Sequence, residues 1–449
     1  MKHLSIYLSI ILLAAATTLS AQAVFTLDEA IASACLNNND LQKKRLDVQS
    51  MKAQKKELFT KYFPAVGVSV TAFTRERGLF EGTDALDGLF SLLSDDDNFS
   101  PENVQILKQG YVGGLRMVQP IYTGGRLTSA NKLANIGVKA YGELASLKEN
   151  EITQEVEKYF WQLVQLYEAE RSLLTMDSLV DRARHDAALA LKAGLVTPND
   201  EMQVNLYGTE LESTRLQVEN GKNLCREYLA YLLGVEVVDS LLWDDIYAVK
   251  EPSAYFADPE ASLLDRHELN LLKYNLEAAQ QKRKFYRGEL LPTVGAMFAL
   301  SYHYLYAKRE GGLYNSVLDQ NKVTWILAAN LSIPITAWWG GSHGLSRYNI
   351  AVRQARMDYD DKQKLMRVQI SQKWNTLNEK YKQVDLARRQ LEQAEQNRRQ
   401  HASAYRSGSA TMTDRLHADA LYEKSRTNYI DACVKYRLAI TEYLHATGR

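Results

Sequence analysis

The sequence predicts a mostly helical fold with membrane-type β-structure, built from one structural unit that occurs twice. Two glycine-containing turns separate long helical patterns, the two halves of the chain align with each other, and four segments alternate apolar and polar residues. Helices and strands differ in their hydrophobic period, so the two kinds of segment can be told apart along the chain.

The two turns contain Gly194 and Gly408, and each glycine follows a long apolar-periodic segment. Glycine suits the left-handed position just past a helix end. Thr197 and Thr411 follow, each three residues before an aspartate, which is the capping-box pattern of a helix start. Each stretch is therefore predicted to be a tight turn between two long helices.

The two halves of the chain come into register when the sequence is shifted by the 214 positions that separate the turns. Aligned pairs include Phe160 with Trp374, Leu163 with Leu377 and, at a shift of 228, Phe63 with Leu291. Two long repeats differ from a solenoid, in which short units recur many times. We therefore expect one unit used twice, with the halves meeting near residues 235–260.

The first 23 residues have the pattern of an export signal. Lys2 and His3 precede an apolar core from Leu4 to Leu19, and small residues around Ala23 end the segment. The apolar run is short for a membrane-spanning helix. Since no cysteine stands at the expected cleavage site, we predict a cleaved signal and no lipid anchor.

Composition narrows the class of protein. Lys+Arg and Asp+Glu both number 54, which gives no indication of nucleic-acid binding. The three cysteines, Cys35, Cys225 and Cys433, are too few for a disulfide framework and are expected to be buried free thiols. No Cys/His cluster has metal-ligand spacing, so no metal or other cofactor is predicted.

The helical segments carry long-range apolar periodicity. Thr26 and Glu29 form a capping box that predicts a helix running to about Lys61. A second helix is predicted from about Leu127 to Lys192, with a length of about 100 Å. Apolar residues recur every seventh position, which predicts helices coiled around each other. The accompanying aromatic stripe is interpreted as packing.

Acidic residues are frequent on these helices and are interpreted as the solvated faces. The chain has neither a nucleophile motif nor a glycine-rich phosphate loop after a strand. We therefore predict that the protein is not an enzyme.

Four segments between the helices are predicted to be strands: 62–74, 111–122, 291–306 and 322–335. Their length and single apolar face fit a transmembrane barrel, and the alternative is a soluble sandwich. Four strands are too few to close a barrel in lipid, so the chain must then oligomerise. The polar loops inside the two strand pairs, the first of them acidic from Asp84 to Glu102, are expected to be external.

Short motifs in this order resemble a known family. Leu27-Asp28-Glu29-Ala30, followed by Asn38 and Asn39, resembles its first helix, although Asp40 replaces the family's proline. Phe63-Pro64 and Leu291-Pro292 resemble its strand starts, and the stretch from Gln119 to Arg126 resembles its strand-to-helix corner. Over essentially the whole mature chain, the sequence resembles the TolC-type outer-membrane efflux proteins.

The resemblance implies a homotrimer whose chains together form a 12-stranded β-barrel in outer-membrane lipid and a periplasmic α-barrel of long coiled-coil helices. It implies a channel that conducts drugs or secreted substrates in a tripartite efflux or type I secretion system. The partners would be a periplasmic adaptor (membrane fusion protein) and an inner-membrane pump of the RND, ABC or MFS type. The location would be the outer membrane of a Gram-negative bacterium. The alternative is a structural or adhesive periplasmic coiled-coil protein without a pore.

The predicted organisation places the signal peptide first, then the two repeats joined by an equatorial linker. The signal peptide comprises residues 1–23 and the linker residues 233–262. In the first repeat, the helix comprises residues 24–61, the membrane β-hairpin with its external loop residues 62–122, and the long helical hairpin residues 123–232. In the second repeat, the helix comprises residues 263–289, the membrane β-hairpin residues 290–336, and the long helical hairpin residues 337–449.

The resemblance also assigns roles to residues at the two turns. Adaptor docking falls on Gly194, Leu195, Gly408 and Ser409, and a periplasmic gate on Asp200, Tyr405, Asp414 and His417. His417 stands where a second acid can occur, and Ala410 replaces the family's arginine, so either Arg406 or Arg415 substitutes or the link is missing. The alternatives are that the glycines only end helices and that the aspartates only cap them. Unlike the two glycines, Leu195 and Ser409 are expected to occupy positions whose backbone conformation does not restrict the residue type.

One face of the last strand is predicted to contact acyl chains. This face comprises Val323, Trp325, Leu327, Ala329 and Leu331, whereas Asn330 is expected to face a lumen.

Overall fold

The computed structural model describes residues 24–74, 109–194, 197–243, 245–264, 266–308, 314–315 and 323–449. The predicted signal peptide and the acidic first loop from Asp84 to Glu102 lie outside these residues. Within the described ranges, all four predicted strands and both long helical hairpins are present.

The chain order repeats helix, strand pair and helical hairpin. The first half consists of β1 Val24–Phe25, α1 Leu27–Asn37, α2 Asn39–Thr60, β2 Ala65–Thr74, β3 Gln109–Tyr122, α3 Arg126–Lys192 and α4 Pro198–Leu233. A connecting segment follows, with β4 Ser240–Leu241, a 3₁₀ turn Pro252–Tyr255 and α5 Pro259–Leu264. The second half consists of α6 His267–Glu289, β5 Thr293–Lys308, β6 Tyr314–Asn315, β7 Val323–Ser332, α7 Ala337–Arg406 and α8 Met412–Ala446.

The first predicted helix is interrupted at Asn38, which corrects the expectation of one helix to about Lys61. The Thr26–Glu29 capping box is present as predicted. Asn38 has extended backbone angles, and its side-chain oxygen accepts hydrogen bonds from the N–H groups of Asp40 (3.0 Å) and Leu41 (3.3 Å). Asn38 is therefore the N-cap of a second helix, a role that asparagine performs well.

The described residues fall into two compact units. The first contains the residues up to Gln49, Lys139–Tyr274 and Met357–Arg449. The second contains Ser50–Val138 and Asn275–Arg356.

The first unit is organised around a hydrophobic core, called the main core below, to which most of its helices contribute. Its largest fully buried side chains include Tyr436, Tyr443, Phe160, Ile152 and Leu163. Ile370 and Leu377, seven residues apart on α7, are also buried. The aromatic stripe thus packs inside the protein, as the sequence predicts.

The connecting segment between the repeats is tied to α8 by long-range hydrogen bonds. The Tyr436 hydroxyl donates to the Lys250 carbonyl at 2.6 Å, and the Arg437 guanidinium donates to the carbonyls of Asp245 and Ala248. β4 also pairs in parallel with β1. These contacts satisfy backbone groups that a mostly irregular segment leaves free.

The second unit contains an antiparallel sheet in the order β2–β3–β5–β7, with the short β6 also paired to β5. β3 carries Pro120 next to a register shift between Pro120 and Tyr122. Proline cannot donate a ladder hydrogen bond and is tolerated at such a bulge. After this point the chain turns at Gly124, whose φ is +64° and whose backbone approaches the Gly288 carbonyl too closely for a side chain.

The three cysteines are free thiols, as predicted. Cys433 is buried, and burial raises the pKa of its thiol to about 11, which keeps the group protonated. Cys35 and Cys225 are half-buried. Across the described ranges, no helix has a stretch both long and apolar enough to span a membrane.

Candidate functional site

The turn between α3 and α4 has the geometry that the sequence predicts. Gly194 has φ +70°, and its N–H donates to the Leu191 carbonyl at 3.0 Å. Thr197 has extended backbone angles, and Pro198 occupies the first helical position. Leu195 lies outside the described residues, so its predicted docking role stays a prediction.

The turn between α7 and α8 repeats this arrangement. Gly408 has φ +76°, its N–H donates to the Tyr405 carbonyl at 3.1 Å, and the Ser409 N–H donates to the Ala404 carbonyl at 2.9 Å. These two bonds satisfy carbonyl groups at the end of α7. A Cβ atom on either turn glycine would meet nothing within 4 Å among the described residues, so the positive φ is what favours glycine within one chain.

Ser409 has a structural role that the sequence does not reveal. Its hydroxyl donates to the Ala404 carbonyl at 3.1 Å and lies 3.0 Å from the Ser407 hydroxyl. The side chain of Ser409 therefore helps to cap α7, although the φ angle of Ser409 is not positive.

Asp200 and Asp414 both cap helices. In each case Oδ2 accepts a bond from a threonine N–H, at 2.8 Å from Thr197 and 3.0 Å from Thr411, and a second from that threonine's hydroxyl at 2.7 Å. These bonds hold the pKa of both carboxyls below the usual range, and the bond from the threonine hydroxyl has the larger effect. Both aspartates are thus fixed in position and charged at neutral pH.

Tyr405 packs against a small hydrophobic cluster near the turns, which we call the tip cluster. Its core residues are Ala183, Ala187, Val204, Met412 and Leu416. The Arg415 guanidinium lies 5.2 Å from the centre of the Tyr405 ring. Among the described residues no hydrogen bond joins Tyr405 to Asp200.

The other candidate residues at the turns do not take part in the contact between Tyr405 and Arg415. His417 is exposed on α8, and its charge acts on Asp414. Arg406, one of the two candidates to replace the family's arginine, donates to the Ala402 carbonyl on its own helix at 3.2 Å. Arg415, by contrast, lies at the Tyr405 ring.

The structure contains a hydrogen bond between the two hairpins that the sequence does not predict. The Thr413 hydroxyl donates to the Gln203 side-chain oxygen at 2.9 Å, which joins the first turn of α8 to the second turn of α4. Both residues lie near the starts of their helices, and no periodic pattern marks them as partners.

One face of the sheet is continuous, apolar and exposed. In register across the strands, Leu327 pairs with Phe298, which pairs with Met117, which pairs with Val66. Val68, Trp325 and Leu327 on this face are 74, 69 and 68% exposed. The face comprises Val66, Val68, Val70, Leu115, Met117, Phe298, Leu300, Val323, Trp325, Leu327, Ala329 and Leu331.

The opposite face of the sheet is more polar. It carries Arg116, Ser301, Thr324 and Asn330, and the hydroxyls of Ser301 and Thr324 lie 3.0 Å apart. Ile326 shares this face, so the alternation of polar and apolar residues is incomplete. Among the described side chains, no group of three or more His, Cys, Asp or Glu is arranged to hold a metal ion.

The four-stranded sheet combined with two long helical hairpins defines the fold of outer-membrane channels. The channel OprN has a TM-score of 0.78 at 16% identity, and the match covers 94% of this chain and 89% of that chain. The Campylobacter jejuni channel CmeC has a TM-score of 0.76 at 15% identity, covering 94 and 85%. VceC from Vibrio cholerae has a TM-score of 0.74 at 14% identity, covering 94 and 96%.

Residues 259–448 match the family model of the outer membrane efflux protein. Over this part of the chain, the match agrees with the resemblance to TolC-type outer-membrane efflux proteins. No curated protein matches the sequence.

Proposed function

We propose that this chain forms the outer-membrane exit duct of a tripartite efflux or type I secretion system. The observation that carries the proposal is the exposed apolar face of a sheet whose edges are open: among the described residues, β2 pairs only with β3, and β7 only with β5. Lipid does not tolerate unpaired strand edges, so several copies must complete a closed barrel. Three copies would supply 12 strands.

In this assembly the apolar face, including Val323, Trp325, Leu327, Ala329 and Leu331, contacts acyl chains. The opposite face with Arg116 and Asn330 lines the lumen. The long hairpins of three copies form a periplasmic tunnel, and residues 233–262 form the belt around its middle. The mature protein is expected in the outer membrane of a Gram-negative bacterium.

The two turns are proposed as the periplasmic tip of that tunnel. Asp414 and His417 line the constriction, and the Tyr405 hydroxyl of one copy bonds Asp200 of a neighbouring copy. Within one chain both threonine bonds use Oδ2 of Asp200, which leaves Oδ1 to accept a further donor. Gly194, Leu195, Gly408 and Ser409 present the surface on which a periplasmic adaptor docks, and the adaptor connects the duct to an inner-membrane pump.

Conductance in planar bilayers tests the channel. Purified trimers should give discrete cation-selective conductance steps, because the ring of Asp414 carboxylates is negative. Asp414→Ala should reduce cation selectivity, and Tyr405→Phe should raise conductance by removing the latch. If neither variant differs from the unaltered trimer, the gate lies elsewhere. Absence of any conductance, together with release from outer membranes by a high-salt wash, would favour the pore-free coiled-coil alternative.

A further inference from the structure

Two buried carboxylates on α8 lie inside the first unit with two hydroxyl side chains near them, and we call these four residues the polar layer: Ser172, Tyr207, Asp419 and Glu423. Asp419 and Glu423 are 6 and 9% exposed, and as residues four apart on α8 they share one helix face. The Ser172 hydroxyl on α3 donates to Oε2 of Glu423. Tyr207 on α4 is near enough to both carboxylates to feel their charge.

The polar layer lies between two hydrophobic regions. On α8 the tip cluster supplies Met412 and Leu416, the two buried carboxylates follow, and the main core resumes at Ile430. On α3 the main-core residues end before Ser172, and the tip cluster begins beyond it at Ala183. The polar layer thus lies between the tip cluster and the main core, although Met176 and Val180 on α3 and Ala418 on α8 remain buried apolar residues in the same region.

The carboxylates in this layer are incompletely compensated. Oε1 of Glu423 is buried with no hydrogen-bond partner. The cation nearest to Asp419 is Arg415, whose Nε is 4.0 Å away, beyond hydrogen-bond distance. A buried charge without close partners opposes folding, because desolvation is only partly offset.

The groups that face the carboxylates come from all four helices. α3 supplies Ser172, with the Glu168–Arg171 ion pair one turn before it. α4 supplies Tyr207, α7 supplies Arg398 and α8 supplies Arg415. Burial raises the pKa of the Asp419 carboxyl, and the two arginines only partly oppose this. Burial, followed by the two carboxylates, raises the pKa of Tyr207 to about 12, so its hydroxyl keeps its proton.

We propose that the polar layer is a proton-sensitive hinge, at which the turn ends of the hairpins loosen when the Asp419 carboxyl is charged and tighten when it is neutral. The folded state favours the neutral Asp419 carboxyl. The stabilisation of closed packing by neutral Asp419 is therefore fully present below pH 3.8, the ordinary pKa of an aspartate. It is lost as the pH rises through the raised pKa that Asp419 has in the folded protein. The capping aspartates respond in the opposite direction, and only at lower pH, because their pKa values are lowered.

Hydrogen–deuterium exchange on the full-length protein tests the hinge, with rates corrected for the intrinsic effect of pH. Between about pH 7.5 and about pH 4.5, the local opening constant of peptides from the turn ends should fall on the order of tenfold. Peptides from the main core around Phe160 and Tyr436 should change much less. The double variant Asp419→Asn/Glu423→Gln should show a low opening constant at every pH.

Glu157→Gln is the matched control, since Glu157 is a half-buried carboxylate in the main-core part of α3, bonded by the Thr441 hydroxyl, with a pKa that partial burial raises. This variant should keep the wild-type pH response of the turn ends. An unaltered chain whose turn ends show no pH response overturns the proposal, even if the double variant fails to fold. A double variant that keeps the wild-type response also overturns it and would point to His401 and His417, whose charges act on Asp414. No result depends on conduction, so failure of the hinge is distinct from failure of the channel.

Discussion

The Thr413 hydroxyl on α8 donates a hydrogen bond of 2.9 Å to the Gln203 side-chain oxygen on α4. Within one chain, this is a direct polar link between the two hairpins beside their turns. Both side chains are exposed, so the bond competes with water and contributes modestly. Its position matters more than its strength, because it joins the two helices that follow the glycine turns.

We predict that Thr413→Val loosens the turn ends of the hairpins. The substitution keeps the shape of the side chain and removes the donor, at a cost of about 0.5–1.5 kcal/mol in local stability. Limited proteolysis near Gly408 should become faster, and the single-channel conductance of trimers should rise. Thr209→Val is the control, since the Thr209 hydroxyl donates to the Asn205 carbonyl of its own helix and, among the described residues, makes no bond to the other hairpin. Equal proteolysis rates in the two variants would show that the Thr413–Gln203 bond does not hold the tip.

A second prediction concerns the turn glycines. Gly408→Ala should destabilise the protein by about 1 kcal/mol, because an alanine at φ +76° is strained although its Cβ meets no neighbour. Gly142→Ala is the opposite case: this glycine lies inside α3, its φ is not positive, and its Cβ also meets nothing within 4 Å. That variant should be stabilised by about 0.4–1 kcal/mol. Thermal unfolding of both variants measures the difference, and effects of the same sign would contradict the backbone explanation.

The parts of the fold that follow local rules could be predicted from the sequence. The Gly194 and Gly408 turns depend on backbone conformation, and the Thr197 and Thr411 caps depend on residues three apart. The strands follow from alternation, which the observed register reproduces. The interruption at Asn38 escaped because the helical pattern continues on both sides of it, and only the side-chain cap marks the break.

The polar layer was not predicted from the sequence, for a different reason. Acidic residues on these helices were interpreted as solvated, yet Asp419 and Glu423 are buried. A signal was present, because Met412, Leu416, Asp419 and Glu423 follow the three- and four-residue spacing of one buried stripe, which Ile430 continues seven residues later. An acid in phase with the apolar stripe indicates burial, whereas an acid out of phase with it indicates solvent. Residue type alone cannot make that distinction.

A third prediction concerns acid stability of the turns. The pKa values of Asp200 and Asp414 are lowered, so their contribution to capping is present above the ordinary value of 3.8 and is lost as the pH falls through the lowered values. The capped helix ends beside the turns should therefore fray only in strong acid. Thr411→Ala removes the hydroxyl partner and should cost about 1 kcal/mol at neutral pH. Exchange rates of the first-turn amides of α8 report both effects, and fraying already at pH values well above 3.8 would contradict the cap assignment.

The last prediction separates the two faces of the sheet. Leu327 is 68% exposed on the apolar face, whereas Asn330 is exposed on the opposite face of the same strand. If β7 spans a membrane, Leu327→Arg should hinder assembly by about 2–4 kcal/mol, the range for arginine near the bilayer midplane. Asn330→Arg places the same charge toward the lumen and should be tolerated. The measurement is the yield of heat-resistant trimers in outer membranes, with total expression as the reference. Trimers in equal yield from both variants would mean that β7 does not contact lipid, because a charge facing acyl chains cannot be neutral for assembly.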